Sequence, residues 1–379
     1  MKKTISALLL SLLVLLVCIP APAQSNQALV TAPVTAPVTS ATNPTLSQTV
    51  LSSLAALPEA DTLIFINPQR ILNEAAPRVM SEKDLADMRK TFADMKQSTG
   101  VDPARIDYVV LAVRFRKPSA ELNFNPPEVM VVAGGDFSAD SLLIIARGIG
   151  GDRLREEKHG ARTLTLMTID PIAKEAEKNP MLKAFSEVGI VPLNATTIAV
   201  GTPGYLRAAV DAGEGQGRIS SESLSSLLRD PDALISIAGS PLTSFIKSFG
   251  MLGTEANPRA PRCDSRFGDF YAAVTMDATN FMLRGALNAD NPDTAKIMNN
   301  LINGLVRQAT SSVPDKTAQS VLQRFSISAE QNDVVLRADF PQQMLIDLIK
   351  KQMMPKKQDS SAASPPAKKR VVKKRRPRK

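Results

Sequence analysis

Leu51-Ser52-Ser53-Leu54-Ala55-Ala56-Leu57-Pro58-Glu59-Ala60 is followed by Asp61-Thr62 and the apolar run Leu63-Ile64-Phe65-Ile66. Later the chain repeats this as Leu224-Ser225-Ser226-Leu227-Leu228-Arg229-Asp230-Pro231-Asp232-Ala233, with Leu234-Ile235-Ser236-Ile237 directly after it. Leu51 aligns with Leu224 and Pro58 with Pro231 without a gap, and the second copy lacks two residues before its apolar run. A short apolar run bounded by Pro and Asp is the pattern of a buried strand. The repeat therefore marks the start of two related units, and other elements follow each copy in a similar order.

After the first copy, Asn67-Pro68 is a capping side chain before a proline at the first helical position, and the same device recurs at Asp170-Pro171, Asn179-Pro180, Thr202-Pro203, Ser240-Pro241 and Asn291-Pro292. Ser81 to Asp84 reads as a capping box. Leu85, Met88, Phe92 and Met95 then share one helical face before Gly100. Strands are expected over 107–115, 128–135, 163–169 and 196–200, and helices over 138–147, 172–178, 181–188 and 205–212. In the second unit the expected strands are 234–237, 268–276, 280–287, 321–328 and 334–339. Its helices are 241–249, 294–312 and 341–351, with Ile297, Leu301 and Leu305 on one face of the long one and Met298, Ile302 and Val306 beside them. Each unit thus reads as the ferredoxin-like order β-α-β-β-α-β plus an extra strand and helix, an α+β fold of antiparallel sheets with helices on one face. Fusion of the two units into one continuous sheet is the open alternative.

The ends read differently. Met1-Lys2-Lys3, the apolar run Ile5 to Ile19 and Ala21-Pro22-Ala23 have the three parts of a secretory signal, with cleavage expected after Ala23. Lipidation at Cys18 competes, but Leu15-Leu16-Val17 lacks the small residue expected before a lipidated cysteine. No later run approaches the roughly 20 apolar residues of a spanning helix. The expected organisation is a signal peptide at 1–23, a disordered Thr/Pro/Ala linker at 24–50, a first unit at 51–212, a Gly-rich linker at 213–223, a second unit at 224–354 and a disordered basic tail at 355–379. The mature chain is accordingly expected in the periplasm or outside the cell.

Charge is unevenly partitioned. Residues 356–379 carry seven Lys and four Arg against Asp359. The whole chain is +9, so once the tail's +10 and the two leader lysines are set aside the body carries −3. Lys368, Lys369, Arg370, Lys373, Lys374, Arg375, Arg376, Arg378 and Lys379 form the expected polyanion-binding set, because such a run self-repels, buries nothing and gains affinity by releasing counterions. With no aromatic residue between the charges, base stacking and sequence-specific nucleic-acid recognition are not expected. Anionic envelope polymers or lipid headgroups are the expected partners.

Candidate chemistry is sparse. His159, the only histidine, sits in the polar run Glu156-Glu157-Lys158-His159-Gly160 and cannot by itself build a two-histidine zinc site. It reads as a solvated turn residue. The chain contains no Gly-x-Ser-x-Gly elbow. Gly213-Glu214-Gly215-Gln216-Gly217 resembles a phosphate loop but follows a helix and lacks the Lys-Ser/Thr that would complete it, so it reads as a flexible linker. Asp290-Asn291-Pro292-Asp293 offers oxygen donors for Ca²⁺ and equally a helix cap, and the cap explains more of it. Cys263 remains the one thiol after leader cleavage, and Arg259, Arg262 and Arg266 around it would favour its thiolate; it is the candidate reactive thiol. No cofactor is expected.

In Pro58-Glu59-Ala60-Asp61-Thr62, the signal and the repeated units, the chain resembles uncharacterised bacterial extracytoplasmic proteins of the domain-of-unknown-function kind. The resemblance implies no activity. The expected function is non-enzymatic binding or structural support. A carboxylate-dependent hydrolase of an envelope polymer, or an apolar-ligand protein with its pocket between the units, are the alternatives.

Overall fold

The computed structural model describes residues 48–115, 127–169, 172, 185–240, 267–313 and 316–353. The leader, residues 24–47, the Asp170-Pro171 and Asn179-Pro180 starts, the expected helix at 241–249, Cys263 and the basic tail lie outside them.

Among the described residues twelve strands form one antiparallel sheet. In chain order they are β1 (Thr62–Ile66), β2 (Ile106–Arg114), β3 (Glu128–Gly135), β4 (Leu154–His159), β5 (Arg162–Thr168), β6 (Glu187–Asn194), β7 (Thr197–Gly201), β8 (Ile235–Gly239), β9 (Phe267–Met276), β10 (Asn280–Ala289), β11 (Ser326–Glu330) and β12 (Asp333–Pro341). Across the sheet they run β11-β12-β10-β9-β8-β1-β2-β3-β7-β6-β5-β4. The helices are α1 (Gln48–Ala55), α2 (68–79, with a π-turn over Ile71–Ala75), α3 (Glu82–Thr99), α4 (Ala139–Gly150), α5 (Pro203–Gly213), α6 (Ser221–Leu227), α7 (Pro292–Ser312), α8 (Lys316–Leu322) and α9 (Gln342–Met353).

The two copies of the repeated stretch meet in the middle. Their strands pair with each other, Ile64 opposite Ile237, Phe65 opposite Ser236 and Ile66 opposite Ile235. Under the sequence alignment Phe65 corresponds to Ser236, so this rung relates each copy to the other. A perpendicular two-fold through it exchanges β1 with β8. Outward from the seam the halves have the same strand order, β1-β2-β3-β7-β6 against β8-β9-β10-β12-β11, and β5 and β4 extend the first half. The continuous sheet is therefore the arrangement adopted.

The ferredoxin-like order is not. There the strand-helix-strand step is a crossover between parallel strands that leaves room for another strand between them. Here β1 and β2 are adjacent and antiparallel, Leu63 opposite Ala112, and β3 lies next to β2. The helical excursion over α2 and α3 returns the chain beside β1. Element order in a sequence carries no information on strand direction, which is why the two arrangements read alike.

Nor do the helices keep to one face. Alternate residues Leu63, Phe65, Val110, Ala112, Met130, Val132, Ala199, Val191, Leu164 and Leu166 form the front face of the first half, in one core with Val50, Leu54 and Leu57 around α1, Tyr205, Leu206 and Ala209 of α5, and Leu227 of α6. Beyond β8 the helices cover the back. Phe281, Val274, Met276 and Phe340 pack there with Ile71, Ala75 and Val79 of α2 and Leu345 of α9. Val334 and Leu287 pack with Ala295, Met298 and Ile302 of α7. The register puts Val274 and Phe281 on the side opposite Tyr271, which joins the front core. The closing helix α9 therefore packs its Leu345 inward. On α7, Met298 and Ile302 are the inward residues, while Ile297, Leu301 and Leu305 lie exposed beside them.

Local signals behave as their chemistry requires. Asn67 accepts from the Arg70 N–H at 3.1 Å, Ser81 from Asp84 at 3.2 Å and Asn291 from Thr294 at 2.9 Å. Asn291 is thus a cap, which accounts for Asp290 to Asp293 without a cation. Thr202 precedes α5 without capping it, its hydroxyl donating instead to the Val129 carbonyl at 3.4 Å. Gly100 ends α3 at φ 69°, the left-handed conformation that favours glycine. The glycine-rich stretch is pinned to the first copy of the repeat. Glu59 donates to the Gly217 carbonyl at 2.9 Å and Ile219 to that of Leu57 at 2.8 Å, and Ile219 is buried.

Candidate functional site

The front face of the sheet changes character at β9. Along one rung, Val110, Phe65, Ser236 and Ala273 lead to Arg284, Arg337 and Ser326. Along the next, Ala112, Leu63, Ala238 and Tyr271 lead to Ala286, Val335 and Ser328. The apolar half of each rung lies in the core that α1, α5 and α6 help to form. The polar half lies where α7 and α9 pack on the back, and among the described residues the helices packed against β10, β11 and β12 are on that back side.

This polar half holds a hollow of about 450 Å³ lined by Arg229, Tyr271, Arg284, Glu330, Asp333 and Arg337 over a floor that includes Ala286 and Val335. A smaller recess of about 280 Å³ adjoins it past Tyr271, reaching Asp269 and Asn288. Arg284 and Arg337 are direct cross-strand partners. Like charges so placed are destabilising, and the fold retains them. Arg229, from the turn after α6, stacks on the Tyr271 ring at 4.4 Å. Burial, then the Asp230 carboxylate, raises the Tyr271 phenol above its usual 10.0. One carboxylate oxygen of Asp230, Oδ2, is buried without a hydrogen-bond partner.

The acids of the hollow are already engaged. Arg337 forks onto Glu330 at 3.1 and 3.4 Å, Asn288 donates to Asp333 at 3.0 Å, and Ser240 donates to Asp269 at 2.9 Å. Arg284 instead reaches the Met282 sulfur at 3.7 Å. Among the described residues, neither Arg284 nor Arg229 has a carboxylate within ion-pair distance.

His159 ends the edge strand β4 and is not left to solvent. Its Nε2 lies 2.7 Å from Asp211 Oδ1 on α5. The neighbouring glutamates go elsewhere, Glu156 to Arg147 at 2.6 Å, and Glu157 to Arg207 at 2.6 Å and Arg155 at 3.0 Å. Arg207, then Arg155, pull Glu157 from 4.5 down to about 2. A carboxylate depressed on folding contributes stability above its unfolded value and loses it as pH falls toward the folded one. Glu157→Gln is therefore expected to cost about 1 kcal/mol at pH 7, the scale of a solvent-screened network. The difference from the parent should close between pH 4.5 and 2. Thermal melts across that range check it, and a pH-independent gap would mean that the carboxylate charge is not what stabilises.

Among the described residues no group of three His, Cys, Asp or Glu is placed to hold a metal ion, and no helix is long and apolar enough to cross a membrane. Cys263 and the nine tail cations lie outside the described residues. The hollow was invisible in the sequence because its parts are spread from Arg229 to Arg337; the one available signal was arginine at outward positions of two expected strands.

No protein family matches the chain, and no curated protein matches it. Among solved structures it is similar to crystal form III of the Treponema lipoprotein TP0453, at 12% identity and a TM-score of 0.41 over 79% of this chain and 97% of that one. Form I of the same protein gives 11% identity and a TM-score of 0.40 over 79% and 96%.

Proposed function

We propose that this is a non-enzymatic binding or structural protein of the extracytoplasmic space, in which a duplicated α+β body carries a basic tail that associates with anionic envelope polymers or lipid headgroups. The observation that carries the reading is the partition of charge: +10 within residues 356–379 against −3 for the mature body. A net negative body is repelled by a polyanion, so attraction has to come from the tail. Several of the body's own basic residues are held by carboxylates, as the Arg155, Arg207 and Arg337 pairs illustrate. The leader-like start supports a choice of partners among envelope polyanions.

Heparin chromatography of the full chain and of a chain ending at Pro355 tests it. The full chain is expected to elute at clearly higher salt, with a steep salt dependence reflecting up to roughly ten counterions released. Vesicles containing anionic lipid should retain the full chain in the same salt-sensitive way. Equal retention of the two chains on both supports would rule out the tail as the attachment.

A further inference from the structure

We propose that the hollow on the front face of β9, β10 and β12 is a binding site for a phosphate monoester, gripped by Arg284 and Arg229. This is independent of the tail reading and stands or falls separately. Three observations converge. First, Arg284 is held directly across from Arg337, an arrangement that costs stability in the empty protein and is relieved when an anion neutralises it. Second, the charges of the hollow do not cancel internally. The lining sets Arg229, Arg284 and Arg337 against Glu330 and Asp333, and with Glu330 taken by Arg337, Arg284 and Arg229 are, among the described residues, the arginines of that lining with no carboxylate within ion-pair distance. Third, Arg229 stacks on the Tyr271 ring at 4.4 Å, and Arg229, Tyr271 and Arg284 line the same hollow although they come from different elements.

The geometry selects the anion. A guanidinium fork takes two oxygens of its partner, and a carboxylate shared by two arginines, as Glu157 is, has only two oxygens and one charge to divide between them, whereas a phosphate monoester has three terminal oxygens and up to two charges. A phosphate group offers oxygens to both Arg284 and Arg229. Arginine is also the residue whose planar fork suits phosphate and stacks on an aromatic ring, as Arg229 does on Tyr271. At about 450 Å³ the hollow exceeds a bare phosphate, and its Ala286 and Val335 floor leaves room for a small organic remainder.

Isothermal titration of the full chain with glycerol phosphate, inorganic phosphate and acetate tests the proposal. The tail is present in every sample, so its contribution is common to all. Glycerol phosphate is expected to bind at least as tightly as inorganic phosphate, and acetate about tenfold more weakly or worse. Arg284→Gln should weaken glycerol phosphate by about tenfold, the scale of losing hydrogen bonds to a charged group. Arg284→Lys, which keeps the charge and loses the fork, should fall between. In phosphate-free buffer Arg284→Gln is expected to melt no lower than the parent, because it removes a charge facing Arg337. If that variant does not fold, Arg229→Gln carries the same comparison. Undiminished glycerol phosphate binding by the variants, or acetate binding as tight as phosphate, overturns the proposal.

Discussion

Gly239→Val is expected to lower the stability of the sheet by about 3 kcal/mol, at the upper end of what overpacking usually costs. Gly239 closes the seam, paired with Thr62 on one side and Phe270 on the other. A Cβ there would collide with the Asp61 carbonyl oxygen and lie against the Thr62 backbone, so the backbone has to move. That movement separates β1 from β8, the two strands through which the halves of the sheet are joined. Urea unfolding of the parent is expected as one transition, and of the variant as a lower and broader one in which the halves begin to separate. Gly304→Ala is the control. Gly304 lies in α7 with nothing within 4 Å of the added carbon, and alanine there should stabilise by about 0.5–1 kcal/mol. Similar effects of the two substitutions would mean that the seam is not a close contact.

Leu54→Ala and Leu227→Ala are each expected to cost about 3 kcal/mol, the middle of the range for emptying a fully buried leucine site. Both side chains are 0% exposed, and they occupy equivalent places in the repeat, one on α1 and one on α6. Both belong to the front core of the first half. Because the cluster is shared, the double variant should deviate from additivity by 0.5 kcal/mol or more, a deviation expected only for sites coupled through packing. Leu301→Ala provides the contrast. It removes the same atoms from a residue 48% exposed on α7 and is expected to change stability by no more than about 0.5 kcal/mol. Chemical denaturation of the four chains measures all of this, and a large loss at Leu301 would reveal a partner covering that face.

Much of the fold was legible because its signals are local. The Leu63 to Ile66 run, the Ser81 cap, the Gly100 stop and the apolar run within Glu128 to Gly135 each contain their own cause within a few residues. The strands that escaped reading lack such signals. β4 is Leu-Arg-Glu-Glu-Lys-His, a charged edge strand of the kind that resists pairing with another chain. β6 contains Gly189 and Pro192, with a shift of register between Pro192 and Asn194, and breakers of this kind argue against a strand. Strand direction and the face each helix covers are set by contacts between distant segments, which is why both went astray. The same holds for the hollow. Arg284 and Arg337 are ordinary arginines until pairing sets them opposite one another.

The pairing of the two repeats also sets a schedule. β1 lies near the start of the described residues, and its partner β8 is made about 170 residues later, after the whole first half. Until Ile235 to Gly239 emerge, Thr62-Leu63-Ile64-Phe65-Ile66 has β2 on one side and an open hydrogen-bonding edge on the other. Such an edge is a template for mispairing with any extended apolar segment, including β1 of a neighbouring nascent chain. The rung that joins the finished sheet is thus also the point at which an unfinished chain is most exposed to aggregation, and the closing of β8 onto β1 is the step that ends that exposure.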